Sequence, residues 1–263
     1  MNPRTILSVF PARIQQAFFY RFFNNRQAAY PELFKYASLK FAPGFQMKNL
    51  IVGDSISGPI AFTGCYELGL SREIQGLSRK GGVFVDVGAN LGYYSLLWLN
   101  GNKENKVIAF EASQRNESSI KENIDANNLN GKIRLFLKAA GDKNGKVFFD
   151  AGPQNQTGWG GLKNNADSRT VEIDMVRLDD ILKNESYIDV IKIDVEGADF
   201  LVIKGCEQLL RQKKIGRIYF EENAERTKEF GIELGQSKKF LENLNYLCEP
   251  FQGSQEEFVA IKD

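Results

Sequence analysis

The chain contains no histidine, which removes Ser-His-Asp and Cys-His chemistry and histidine-ligated metals from consideration. A proton acceptor here must be a carboxylate, a tyrosine, a lysine or a water held by one of these. Carboxylates with chemically suggestive spacing fall in three places. Asp86 stands two residues before Gly88, which opens the run Gly88-Ala89-Asn90-Leu91-Gly92. Glu111 follows 23 residues after Gly88 and closes the apolar run VIAFE. Asp194 and Glu196 flank Val195 in IKIDVEG.

The first two places read as a cofactor site. A glycine-rich turn between a buried strand and a helix lets a ligand approach backbone N–H groups at the helix N-terminus. Dinucleotides and S-adenosylmethionine both use such turns, and two details separate them. The spacing Gly88-x-x-x-Gly92 lacks the intermediate glycine of G-x-G-x-x-G. Asp86 would repel a pyrophosphate but suits a cofactor carrying a sulfonium and an ammonium. Asp86, Gly88, Ala89, Asn90 and Gly92 are therefore expected to shape an S-adenosylmethionine site. Glu111 is expected to accept from two ribose hydroxyls. Ala140 would admit the adenine ring and Asp142 would accept from its amino group, although a plain turn at Asp142 is nearly as good a reading.

In the third place, Asp194 is the candidate for orienting or deprotonating an acceptor hydroxyl, with Glu196 beside it. A helix cap followed by a turn is the alternative. Lys192, two residues earlier, would pair with one of the two and weaken it as a base. No third ligand accompanies them, so no metal is expected. Glu67, Tyr93, Trp159, Glu221 and Glu222 are the candidates for contacting substrate, with Trp159 in a Gly- and Asn-rich loop able to stack on a sugar or flat ring.

The elements that must position these residues follow from periodicity. Apolar strand-like runs lie at 83–87, 106–110, 132–137, 189–195 and 217–220, and helix-like segments at 91–99, 113–128 and 199–210. Such alternation predicts a parallel sheet covered on both faces. Ser113 would cap the second helix. Residues 146–150 and 170–176 read as an inserted antiparallel pair, and 238–244 as a helix before two short strands at 246–248 and 258–261. Upstream, residues 60–62 look strand-like, and Ser71 reads as the N-cap of another helix.

Residues 188–205, IDVIKIDVEGADFLVIKG, resemble the FkbM-type methyltransferases, marked by KIDVEG and a following L/V-x-x-G. DVGANLGYYS, AFEAS, ENIDANN, AAGDKNG and VRLDDIL extend the match in order over about residues 60–222. The resemblance implies an α/β class I methyltransferase fold, Rossmann-like: a seven-stranded, mostly parallel sheet with helices on both faces and an antiparallel insertion between strands 3 and 4. It also implies O-methylation of a sugar, glycolipid or secondary-metabolite hydroxyl. An NAD-type oxidoreductase and a non-catalytic scaffold are the rival readings. The expected division is an N-terminal helical and hairpin extension over 1–58 and a methyltransferase domain over 59–263.

Composition narrows the setting. Among 263 residues, 43% are hydrophobic and 25% charged, with a net charge of +1, so no global field draws the chain to nucleic acid or to an acidic membrane. Three cysteines without a CxxC pair argue for a reducing, cytoplasmic compartment. Residues 11–24 form an amphipathic segment in which Ile14, Ala17, Phe18 and Phe22 share a face. Arg4, Arg13, Arg21 and Arg26 all precede the first acidic residue, Glu32. This helix is expected either to dock on the domain or a second subunit, or to lie on a membrane surface. Its apolar runs are too short for a signal peptide or a membrane span.

Overall fold

The structure is a computed structural model and describes residues 2–263. The chain opens with helices α1 (Pro3–Ser8) and α2 (Ala12–Phe18), continued by a wider π turn over Phe19–Phe23. A two-stranded hairpin, β1 (Tyr36–Ser38) with β2 (Gln46–Lys48), precedes helices α3 (Ser57–Thr63) and α4 (Leu68–Ser78). The regular alternation then begins: β3 (Val83–Val87), α5 (Tyr93–Gly101), β4 (Lys106–Phe110), α6 (Glu117–Ala126) and β5 (Ile133–Phe136). Four short strands form a second sheet: β6 (Ala139–Ala140), β7 (Gly145–Asp150), β8 (Gly161–Lys163) and β9 (Thr170–Val176). After α7 (Leu178–Ile181) come β10 (Ile188–Ile193), α8 (Asp199–Gly205), α9 (Glu207–Arg211), β11 (Ile215–Glu221), α10 (Gln236–Glu242) and a terminal pair, β12 (Tyr246–Pro250) and β13 (Glu257–Lys262).

The main sheet has the order β12-β13-β11-β10-β3-β4-β5. Strands β11, β10, β3, β4 and β5 are parallel, and β13 runs antiparallel to both neighbours. This is the class I methyltransferase order, and it matches the expected fold. The five parallel strands are nearly continuous apolar runs because helices cover both faces. One core lies between the sheet and α4, α5, α6 and the N-terminal segment; the other lies between the sheet and α8 to α10. From β3 the chain winds outward through β4 and β5, then returns to β10 on the other side. The carboxyl ends of β3 and β10 therefore flank the topological switch point, where open α/β sheets leave a crevice.

Several local expectations fail for identifiable reasons. Residues 60–62 are helical, within α3, all of whose residues are buried. A short apolar run buried all round carries no period to tell helix from strand. The expected division between 58 and 59 falls inside this helix, and residues of the first fifty share a core with β3 and α5. Ser71 lies inside α4, its hydroxyl bonded to the Tyr66 carbonyl, and the chain enters α4 through Glu67 in a left-handed conformation (φ 39°). Ser113 precedes a 3-10 turn and makes no cap bond. The fourth parallel strand ends at Ile193, and Asp194 begins the turn. Ala139 and Ala140 do not extend β5 but pair with Met175 and Val176 in the inserted sheet. The inserted antiparallel pair is present, enlarged by β6 and β8.

The N-terminal segment docks through a face other than the one expected. Phe19 is fully buried, and Phe19, Phe23, Tyr30 and Phe34 surround Phe62 of α3 with ring centroids 5.3–6.1 Å apart. Gln15 and Gln27 complete the buried side, whereas Ile14, Phe18 and Phe22 face outward.

Candidate functional site

Gly88 sits where β3 and β10 end together. The Asp194 amide donates to Val87 O at 3.1 Å, and the Gly88 and Ala89 amides both donate to Phe110 O at 3.0 Å. Gly88 has φ 79°, and a Cβ there would come within 1.9 Å of Asp194 O. Only glycine fits that approach. Beyond it lies a cleft of about 1000 Å³ including its open mouth, large enough for a nucleoside-sized ligand with part of an acceptor.

Glu111, Ala112 and Ser113 from the end of β4 form one wall, with Asn90 from the turn after β3 and Ala139 and Ala140 beside them. Glu111 Oε2 accepts from the Asn90 amide at 2.7 Å and Oε1 from the Ser113 amide at 2.8 Å. Each oxygen keeps a lone pair for a further donor. Burial pushes the Glu111 carboxyl up to about 7, against the pull of the two amides. Asn90 Oδ1 and Ser113 Oγ, in the same wall, are buried and lack a hydrogen-bond partner among the described residues. Orphaned buried polar atoms are costly, so this wall is chemically matched to a polar ligand.

The opposite side is acidic. Glu67, Asp194, Glu196 and Glu221 line the cleft, and Glu257 borders its extension. The Lys192 ammonium, 4% exposed, donates to Asp194 Oδ2 at 2.8 Å and lies 5.0 Å from the Tyr94 ring centroid. Burial alone would lower Lys192, but Asp194, Asp86 and Glu67 together hold it charged above the usual lysine range. The lysine partner anticipated for this segment is therefore real, and Asp194 holds it. Glu196, pushed up by burial to about 7, meets Arg226 Nε at 3.2 Å. Glu221 is also raised to about 7, by burial and then by Asp194 and Glu196. Burial and Asp194 likewise raise Glu67, which accepts from the Tyr94 hydroxyl.

Other expected site residues lie elsewhere. Asp86 is 1% exposed behind the turn; its Oδ2 accepts from Ser95 Oγ at 2.6 Å and it does not line the cleft. Ala89 and Gly92 shape the turn without lining it, Gly92 as the left-handed N-cap of α5. Asp142 points away toward Lys204 at 3.4 Å. Tyr93 is buried, its hydroxyl bonded to Ser71 Oγ at 2.9 Å and the Tyr66 amide at 3.3 Å. The neighbouring Tyr66 reaches the cleft instead. Glu222 caps α10 by accepting from the Gly235 and Ser237 amides at 2.8 and 3.2 Å. Trp159 stands at the rim, 50% exposed.

Residues 151–160 carry Trp159 over the cleft and are anchored by a residue the motifs did not single out. Asp54, fully buried, accepts from the Ser57 amide and hydroxyl at 2.8 and 2.7 Å, and from the Thr157 amide and hydroxyl at 2.9 and 3.1 Å. The Asp-x-x-Ser spacing was a legible helix-start signal; the bond to Thr157, 103 residues away, was not. Asp54→Ala should therefore lower unfolding free energy by roughly 3 kcal/mol, since it strands buried donors. Urea unfolding checks this, and a change under 1 kcal/mol would refute the anchoring role.

The family model described as the methyltransferase FkbM domain matches residues 86–248, more than half of the chain. Methyltransferase 1 of Beauveria bassiana (strain ARSEF 2860) is 24% identical over 144 residues, covering 47% of this chain and 57% of that protein. Methyltransferase sdnD of Sordaria araneosa is 27% identical over 156 residues, covering 47% and 60%. The chain thus spans less than two thirds of the length of these curated relatives. Among solved structures, an S-adenosylhomocysteine-bound methyltransferase from Podospora anserina aligns over 74% of this chain and 78% of its own, at 12% identity and a TM-score of 0.44. With the family match spanning β3 to β12, including the cleft's glycine turn, Glu111, Asp194 and Glu221, the chain belongs to the FkbM family of methyltransferases.

Proposed function

We propose that this chain transfers a methyl group from S-adenosylmethionine to a hydroxyl of a sugar, glycolipid or secondary-metabolite acceptor. The observation that carries the reading is the composition of the cleft at the β3–β10 switch point. One wall holds Glu111 with the unpartnered Asn90 Oδ1 and Ser113 Oγ, and the other is a ring of carboxylates. That field favours a cationic cofactor and opposes the pyrophosphate of a dinucleotide.

S-adenosylmethionine supplies, when bound, a methyl group already activated on a sulfonium, so the protein must orient the acceptor, exclude water and take up a proton. Glu111 would hold the ribose hydroxyls, with Asn90 and Ser113 beside it and the small Ala139 and Ala140 leaving room for the base. Asp194, held by the Lys192 ammonium at 2.8 Å, orients the acceptor hydroxyl. Glu221 is the proton acceptor: it faces the cleft, makes no ion pair within 4.0 Å among the described residues, and is raised to about 7. Trp159 offers its ring face to the acceptor at the rim.

Calorimetric titration with S-adenosylmethionine, S-adenosylhomocysteine and NAD tests the cofactor assignment. Both adenosyl ligands should bind and NAD should not; tight NAD binding without an adenosyl signal would sink the reading. Asp194→Asn should keep cofactor affinity within about threefold while turnover falls on the order of a hundredfold, scored as methyl transfer from labelled cofactor into fractionated extract. Unchanged turnover would remove Asp194 from the site.

A further inference from the structure

The outward face of the N-terminal segment is exposed, with nothing packed over it among the described residues. Phe10, Phe18 and Phe22 form a row with successive ring centroids 5.4 Å apart. They are exposed together with Ile6, Val9 (77%) and Ile14. Contiguous apolar surface of this kind on a folded protein marks an interaction site. Its charge is one-sided. Arg4 is turned inward, where it donates to the carbonyls of Ala61, Leu33 and Tyr36. Arg13, Arg21 and Arg26 are exposed, and none forms an ion pair within 4.0 Å among the described residues. The Arg21 guanidinium lies 5.8 Å from the Phe22 ring centroid, at the margin of the apolar row. No acidic residue precedes Glu32.

We propose that this face, centred on Phe10, Phe18 and Phe22 with Arg21 beside it, on a segment that also exposes Arg13 and Arg26, docks on an anionic lipid surface. Aromatic and aliphatic side chains enter the headgroup boundary while the arginines meet lipid phosphates. A second copy of the chain is a poorer occupant, because a twofold contact would set three unpaired arginines against three more. No described helix is long and apolar enough to cross a membrane; the proposed contact lies at the headgroup boundary.

The segment that carries this face also packs beside the residues that lead into the cleft. Gln16 Nε2, on the same segment, donates to Cys65 Sγ at 3.7 Å, and Tyr66 and Glu67 directly after it line the cleft. If the methyltransferase reading above holds, docking would bring the cleft to acceptors anchored in the bilayer; the docking itself does not depend on that reading.

The test is co-sedimentation of the full chain with vesicles of phosphatidylcholine alone and of equal phosphatidylcholine and phosphatidylglycerol. The parent should pellet with the anionic vesicles only. Arg13→Gln/Arg21→Gln/Arg26→Gln should weaken binding about a hundredfold, and Phe18→Ser/Phe22→Ser should abolish it. All these side chains are exposed, so both variants should keep the parent's melting temperature, which serves as the folding control. A parent that stays in the supernatant with both vesicles overturns the proposal. So does a parent dimer in gel filtration that Phe18→Ser/Phe22→Ser converts to monomer without any vesicle binding in the parent. Because the readout is vesicle binding, failure here leaves the calorimetric test of the cofactor untouched.

Discussion

Glu221→Gln is expected to lower turnover by about two to four orders of magnitude, the usual cost of losing a general base, while S-adenosylmethionine still binds. The pH profile separates this from a packing defect. A base raised to about 7 must be ionised to act, so parent turnover should climb through about pH 7 and then level. The glutamine variant should lose that ascending limb. Stability should move the other way. The folded-state value of Glu221 lies above the ordinary carboxylate range, so its contribution is fully present below about pH 4 and is lost as pH rises through about 7. At pH 8 the ionised carboxylate faces Asp194 and Glu196, and glutamine relieves that repulsion. Melting temperature at pH 8 should therefore be higher in Glu221→Gln than in the parent, with the gap closing toward pH 4. Because Glu196 titrates in the same range and the two interact, the midpoint belongs to the cluster. A variant that keeps its pH limb, or melts lower at pH 8, contradicts the assignment.

Glu111→Ala should abolish detectable cofactor binding. Two charge-assisted hydrogen bonds to ribose hydroxyls are worth roughly 3–5 kcal/mol together, or about two to four orders of magnitude in affinity. The substitution also strands the Asn90 and Ser113 amides, which now donate to the two carboxylate oxygens, so unfolding free energy should fall by roughly 2 kcal/mol or more. The two effects come apart on titration of the parent. Ribose hydroxyls donate to the ionised form, and burial has raised Glu111 to about 7. Cofactor affinity should thus increase as pH rises toward 7, with proton release on binding below it. Calorimetry in buffers of different ionisation enthalpy measures that proton directly. Affinity independent of pH between 5.5 and 8, or a Glu111→Ala protein that binds like the parent, would show that the carboxylate holds the turn alone.

The parts of this site legible in the sequence are those encoded at short range. Gly88 is needed where two strand ends meet, Glu111 closes the next strand, and Asp194 follows β10 with Lys192 two residues earlier. A strand's period of two and a turn's demand for positive φ read directly from neighbouring residues. A parallel sheet covered on both faces was equally accessible from the alternation of apolar runs and helices, whereas its seven-stranded architecture came from the family resemblance.

What escaped was decided by contacts between distant segments. Asp142 read either as an acceptor for the adenine amino group or as part of a plain turn; Ala139 and Ala140 leave β5 to pair with β9, and Lys204 draws Asp142 outward. Tyr93 and Tyr66 are both tyrosines near the turn; Ser71 and the Tyr66 amide hold Tyr93 inside, and Tyr66 takes the cleft. The N-terminal helix shows the limit most clearly. Apolar residues occur on two adjacent faces, and polar Gln15 and Gln27 lie on the buried one because their amides find partners in Phe10 O and the Gly53 amide. Periodicity records that a helix is amphipathic, but only the aromatic pocket around Phe62 determines which stripe is inside. The sequence alone thus marked the glycine turn, Glu111 and a parallel sheet covered on both faces, because these depend on spacing along one chain segment. The tertiary structure decided which carboxylates face the cleft, which is paired and which is free to take a proton, because burial and charge pairing are set by residues far apart in the chain.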